Sequence, residues 1–248
     1  MPQSVMLASV ATAVPPFVLK QRDVAAAARQ GFSGRYRDFE RVAGVFTNSG
    51  ILQRHAVRPI DFYFEPLGWP ERTKAYLEGA VDLFVDAATK ALDSAGVGAA
   101  DVDTIVTVSS TGIATPSLEA RAAARMGFRA DVERVPVFGL GCAGGVSGLS
   151  IASRLAQARP GAIVLMVAVE ICTLAFRLDE LTKANIVATA VPPYVLEQRD
   201  VAAAAHRSFA LRFTDFERLA RVFKTSGIRR RYAVRPIEWY TGACAATD

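Results

Sequence analysis

Val135-Pro136-Val137-Phe138-Gly139-Leu140-Gly141-Cys142-Ala143-Gly144-Gly145 is the stretch on which the fold turns. An apolar run, Val135 to Phe138, enters it as a strand. Val146 to Ala158 leaves it with helical apolar spacing and is ended by Pro160-Gly161. Small residues between strand and helix let the backbone turn sharply and present one side chain at the helix N-terminus. That side chain is Cys142. Unpaired N–H groups and the positive end of the helix dipole favour an anion there, a thiolate included, by up to about 2 kcal/mol. Fuller activation of a thiol needs a neighbouring imidazole. The same residues carry a second reading. Gly139, Gly141 and Gly144 spell G-x-G-x-x-G between strand and helix, and Glu170 ends the next strand, as in a dinucleotide-binding fingerprint. A third reading is an inert, buried cysteine. Spacing alone leaves all three open.

Outward from the turn, helices and strands alternate. Pro70 opens a long amphipathic helix with Leu77, Val81, Phe84, Ala88 and Leu92 on one face, closed by Gly96. Ile105 to Val108 reads as a short buried strand, Ser117 to Met126 as a helix, and Ile163 to Val169 as an apolar strand. This order implies an α/β fold with a parallel sheet covered on both faces. The apolar N-terminus, ending in Ala11-Thr12-Ala13, lacks the positive segment of a signal peptide, since the first lysine is Lys20; it reads as a strand.

Composition bounds the function. The 248 residues are 51% hydrophobic and 21% charged, which excludes a disordered chain. The longest apolar run, Ala162 to Val169, stops at Glu170, far short of the ~20 residues of a membrane span. Three cysteines make no disulfide framework, and the expected compartment is the cytoplasm. The net charge of +5 is concentrated at the end: residues 187–248 hold 10 Lys+Arg against 6 Asp+Glu. A nucleic-acid partner is not expected, because basic residues do not run along one face with interleaved aromatics.

The chain repeats itself. Val10 to Tyr63 aligns without gaps on Val187 to Tyr240, with 36 of 54 positions identical and a constant offset of 177. Nothing resembling residues 64–186 follows the second copy, so the chain is no solenoid. The organisation expected is therefore 1–186, then a second copy of the opening segment at 187–240, then an unmatched tail at 241–248 that reads as disordered.

Three motifs in order then carry a resemblance. The cysteine stretch resembles the nucleophile segment of type III polyketide synthases, the chalcone and stilbene synthase-like family with a thiolase fold. Ser109-Ser110-Thr111-Gly112-Ile113-Ala114-Thr115-Pro116 resembles the family's acyl-pocket loop. Val169-Glu170-Ile171-Cys172-Thr173-Leu174-Ala175-Phe176-Arg177 is similar to its strand and pocket wall after the nucleophile. The resemblance implies the N-terminal half of a layered αβαβα architecture. It also implies a reaction in which an acyl-CoA starter loads onto Cys142 and malonyl-CoA units are condensed onto it, without any metal or other cofactor. By the same resemblance Ser110, Thr111, Cys172 and Ala175 shape the acyl cavity, and Thr115 reaches the partner's cavity in a homodimer; hydroxyls that satisfy backbone groups of the loop are the competing reading of Ser110 and Thr111. A buried strand end is the competing reading of Cys172. Arg54 and Arg58 follow the Ser-Gly-Ile motif where the family's basic patch resembles a contact to coenzyme A phosphates; Arg229-Arg230-Arg231 is the richer version in the second copy.

Departures from the family are as informative. Its catalytic His and Asn belong to a second half with no counterpart here, and neither His55 nor His206 lies in a matching motif. The similarity runs to Val187-Ala188-Thr189-Ala190, a tetrapeptide shared with Val10 to Ala13, where the chain passes into the repeat. That pattern is expected from recombination or misassembly joining one synthase's first half to another's opening segment. Two functions follow: an impaired acyltransferase, or a non-catalytic remnant acting by self-association or by pairing with a full-length synthase. A lone half is expected to expose apolar surface and a strand edge, to be of low stability and to oligomerise. The second copy is expected to compete with the first for one site, within the chain or by domain swapping.

Overall fold

A computed structural model describes residues 5–34, 39–176, 194–209, 216–225, 228–233 and 236–240. The chain gathers into two units: Met1–Phe17 with His55–Arg177, and Val18–Arg54 with Leu178–Asp248. In chain order the elements are β1 (Phe17–Lys20), α1 (Gln21–Phe32), α2 (Phe39–Asn48), β2 (Gln53–Ala56), α3 (Trp69–Ala95), β3 (Thr104–Ser109), α4 (Leu118–Met126) and β4 (Glu133–Phe138). There follow α5 (Gly144–Ala158), β5 (Val164–Ala168), β6 (Tyr194–Glu197), α6 (Gln198–Phe209), α7 (Phe216–Thr225), β7 (Arg230–Ala233) and α8 (Ile237–Tyr240). The switch at 187–190 and the tail at 241–248 lie outside the described residues.

In the first unit, α3 begins with Pro70 in its first turn, where the missing N–H costs nothing. It ends at Gly96, whose φ of +67° lets its N–H reach back to the carbonyls of Leu92 and Asp93. Ala75, Tyr76, Gly79, Ala80, Phe84, Ala88 and Leu92 are its buried face. The sheet has the order β4-β3-β5 and is parallel throughout, Val106 standing between Val135 and Met166. All six residues of β3 are buried. α5 packs on β3 and β5, α3 on β5, and α4 on β3 and α3, so the central strand is covered on both faces.

That cover is incomplete over β4. Glu133, Arg134, Pro136 and Phe138 are exposed, which corrects the expectation of a sheet covered throughout. β4 alternates as an edge strand does, and Pro136, which has no N–H to donate, is tolerated there. The N-terminal strand is also corrected: residues 5–15 have no regular structure, and the first strand starts at Phe17. A strand needs a neighbour for its backbone groups. This segment is held instead by side chains, the Ser9 hydroxyl donating to the Ala91 carbonyl at 2.7 Å and His55 Nδ1 lying 3.2 Å from the Pro15 carbonyl.

In the second unit the repeat is structural as well as sequential: β6, α6, α7 and β7 stand at the positions of β1, α1, α2 and β2 plus 177. The local fastenings repeat too. Gln21 N donates to the Leu52 carbonyl at 2.9 Å and Gln198 N to the Arg229 carbonyl at 2.8 Å. Both glutamine side chains donate at 3.1 Å to the carbonyl of the equivalent phenylalanine, Phe46 or Phe223. Phe39 and Phe216 are both buried. The ion pair Arg29–Glu40 at 2.7 Å is matched by a hydrogen bond between His206 and Glu217 at 3.0 Å. Among the described residues, no helix is long and apolar enough to cross a membrane.

Candidate active site at the cysteine turn

β4 delivers the chain to Gly139 and Gly141, whose φ values of +84° and +52° lie where a Cβ is strained. Gly141–Ala143 then form a single 3-10 turn that runs directly into α5. Cys142 lies in that turn and is exposed. The third glycine of the spacing has a different task. A Cβ on Gly144 would lie 2.6 Å from Val108 Cγ1, and one on Gly148 would lie 2.5 Å from Met166 Cε and 2.6 Å from Val108 Cγ2. The glycines let α5 sit against β3 and β5 more closely than any side chain permits.

The turn is held by the loop after β3. Gly141 N donates to Ser110 Oγ at 3.0 Å, and Ser110 N donates to Glu170 Oε1 at 2.8 Å. Ile171 N donates to Thr111 Oγ1 at 2.8 Å. Ser110 and Thr111 thus tie the C-terminal ends of all three strands together, the place where open parallel sheets gather their ligand sites. Beneath them, the Tyr76 hydroxyl shares a 2.7 Å hydrogen bond with Ser109 Oγ. Burial raises the pKa of that phenol above its ordinary value, so it keeps its proton. A Cβ on Gly112 would fall 2.4 Å from the Tyr76 ring, so only glycine lets the loop lie on it.

The other expected site residues take separate places. Thr115 is exposed, and Arg121 clamps its carbonyl and that of Pro116, each at 2.8 Å. Cys172 and Ala175 are both exposed on the 3-10 turn Cys172–Ala175 after β5. The buried strand-end reading of Cys172 is therefore corrected: β5 stops at Ala168, and Ile171 and Leu174 take the buried positions. Arg72, 6% exposed, fixes this turn by donating from Nη1 to the carbonyls of Leu174 at 3.0 Å and Phe176 at 2.8 Å. Sequence reading missed Arg72; its only signal is an arginine on the apolar face of α3. Arg58 donates to the Val57 carbonyl at 3.0 Å and pairs with Glu78. It lines a groove with Val14, Val57, Gly79, Asp82 and Asp86, and neither Cys142 nor Ser110 lines it. Arg54 is exposed and belongs to the other unit. Among the described residues, no three His, Cys, Asp or Glu side chains are grouped to hold a metal.

Phe138 and Val146, on either side of the turn, face outward at 60% and 77% exposure, and Ile113 in the loop after β3 is 67% exposed. A parallel sheet whose central strand leads into Ser110, which holds a strand–glycine–cysteine–helix turn, defines a thiolase-like fold. Residues 68–188 match the chalcone and stilbene synthases, N-terminal domain, and belong to that family, the type III polyketide synthases. A 1,3,6,8-tetrahydroxynaphthalene synthase of Streptomyces peucetius subsp. caesius is 38% identical over 185 residues, 75% of this chain and 49% of that one. The solved tetrahydroxynaphthalene synthase of Streptomyces coelicolor A3(2) superposes with a TM-score of 0.68 at 29% identity, over 76% of this chain and 54% of that one. The C-terminal type III polyketide synthase domain of a type I/III hybrid from Dictyostelium gives 0.65 at 28%, over 75% and 53%. The chain spans about half the length of the relatives it matches. Within this family context the G-x-G-x-x-G spacing serves the cysteine turn, and Glu170, the residue a dinucleotide reading would assign to a ribose, accepts the Ser110 N–H.

Proposed function

We propose that this chain is an acyltransferase of the type III polyketide synthase kind, in which Cys142 takes an acyl group from a coenzyme A thioester. The observation that carries the reading is the exposed Cys142 on a turn whose Gly141 N–H is held by Ser110. In the loading step the Cys142 sulfur attacks the thioester carbonyl, and an Sγ–acyl bond forms as the bond to the coenzyme A sulfur breaks. The thiol proton ends on the released coenzyme A. Ser110, Thr111, Cys172 and Ala175 shape the acyl cavity in this reading, and Thr115 contributes to a partner's cavity in a homodimer. Arg54 and Arg58 are assigned to the coenzyme A phosphates, which requires Arg58 to exchange Glu78 for a phosphate. No metal or other cofactor takes part, and a reducing, cytoplasmic setting keeps the exposed thiol available.

Malonyl-CoA condensation is the weaker step in this proposal. Missing general acid–base help alone costs about 10²–10⁴-fold, and the imidazole of the same unit, His55, holds the Pro15 carbonyl. Intact mass of the folded chain incubated with a medium-chain acyl-CoA tests loading, beside Cys142→Ala. An acyl adduct that needs Cys142 is the expected result; folded protein that gains none overturns the reading. The exposed apolar side chains at Ile113, Phe138 and Val146 favour a second reading, a non-catalytic remnant that associates with itself or a full-length synthase. Product formation from malonyl-CoA, set against co-purification with an intact synthase, separates the two.

A further inference from the structure

The two copies of the repeated segment meet at Ile51 and Ile228, and that contact relates each to the other. Ile51 pairs with Ile228 in an isolated antiparallel bridge. Residue 228 is residue 51 displaced by the repeat's own offset of 177. An antiparallel pairing of a residue with its own equivalent is what a local two-fold axis produces, and a contact of that kind is isologous. Approach is close at this place. A Cβ on Gly50, itself at φ +70°, would lie 3.3 Å from the Arg230 backbone nitrogen. Both copies read Ser-Gly-Ile here, Ser49-Gly50-Ile51 and Ser226-Gly227-Ile228.

We propose that Gly50-Ile51 and Ile228 form a self-complementary edge, and that the second copy acts as an internal partner, filling the edge that the opening segment of a second chain would otherwise take. Each copy keeps its own strand pair and its own glutamine fastenings, so one copy docks on the other without exchanging an element. This differs from competition for one site, because an isologous edge accommodates both. Charge selects the pairing. The second copy carries Arg229-Arg230-Arg231 where the first carries Leu52-Gln53-Arg54. Two second copies would set basic triplets against each other, whereas a first with a second copy would not. Covalent linkage then favours the internal pair over a second chain's first copy through effective concentration. The inference does not rest on acyl transfer by Cys142.

Cross-linking of the full chain tests it, in a Cys142→Ala, Cys172→Ser, Cys244→Ser background with Ile51→Cys and Ile228→Cys added together or singly. Residues opposed in an antiparallel pair lie within disulfide reach. The expected result on mild oxidation is a disulfide within one chain for the double variant, seen as a faster-migrating monomer on a non-reducing gel. Single variants are expected to remain uncross-linked. Covalent dimers from Ile51→Cys alone, or no cross-link in the double variant, overturn the proposal. Hydrogen exchange on the unmodified chain covers the case in which the variants do not fold. Protection of the peptide containing Ile51 is expected to be independent of chain concentration over about a tenfold range, as an internal contact requires. Protection that grows with concentration, or none at all, overturns the proposal.

Discussion

Cys142 is presented by its neighbours more than by its own interactions. Ser110 does two jobs at once, accepting from Gly141 N and donating its own N–H to Glu170. Ser110→Ala removes the first bond and leaves the second. A single neutral hydrogen bond contributes about 0.5–1.5 kcal/mol, so Ser110→Ala is expected to slow Cys142 acylation by roughly tenfold while the folded state survives; time-resolved intact mass measures this. Glu119 poses the opposite case. It is fully buried in the first turn of α4, and neither carboxylate oxygen has a hydrogen-bond partner among the described residues. Glu119→Leu removes both unpartnered oxygens at similar length, and is expected to stabilise the chain by about 1–3 kcal/mol in urea unfolding. A loss of stability there would mean that the carboxylate has a counterpart in the folded protein.

At the scale of elements, packing of α5 on the sheet depends on absent side chains. Gly148→Ala places a methyl against Met166 and Val108, and overpacking of this kind costs about 1–3 kcal/mol. An unchanged urea midpoint would contradict that close contact. The opposite end of the sheet is held by charge. Asp103 Oδ2 accepts from Ile163 N at 2.9 Å, and Asp103 Oδ1 lies 3.3 Å from Arg129 and 3.8 Å from Arg159. The Ile163 N–H first, and then the Arg129 guanidinium, hold its carboxyl below the ordinary carboxylate range. A lowered folded-state pKa means that the stabilisation is complete above the unfolded value, about 3.9, and is lost as pH falls through the folded one. Asp103→Asn is therefore expected to flatten stability below about pH 4, as read by urea midpoints across pH 3 to 6.

Three large apolar residues near the C-terminal ends of the strands face outward. Val146, Ile113 and Phe138 lie on α5, on the loop after β3 and at the end of β4. Large apolar side chains gathered outside a fold mark a surface made to be covered. Val146→Glu is expected to reduce concentration-dependent association on light scattering without lowering the urea midpoint, since the side chain is 77% exposed. Association that persists unchanged would assign the contact elsewhere.

Much of this fold is legible in the order of the residues, because it depends on local chemistry. Helix α3 is framed by Pro70 and Gly96, whose backbone preferences act within one turn. The alternation of strands and helices, the glycines on either side of Cys142 and the 177-residue offset of the repeat are likewise written in neighbouring residues. The residues that match the family lie within that same stretch. Tertiary structure alone decided the rest. Gly144 is needed because Val108, from another strand, comes within 2.6 Å of its missing Cβ. Cys172 is exposed because β5 ends early and Ile171 and Leu174 take the interior. Arg72 is buried where its Nη1 meets two carbonyls more than a hundred residues away. The edge strand β4 and the meeting of Ile51 with Ile228 belong with these. Each depends on which surfaces come together across long stretches of chain, and neither propensity nor periodicity carries that information.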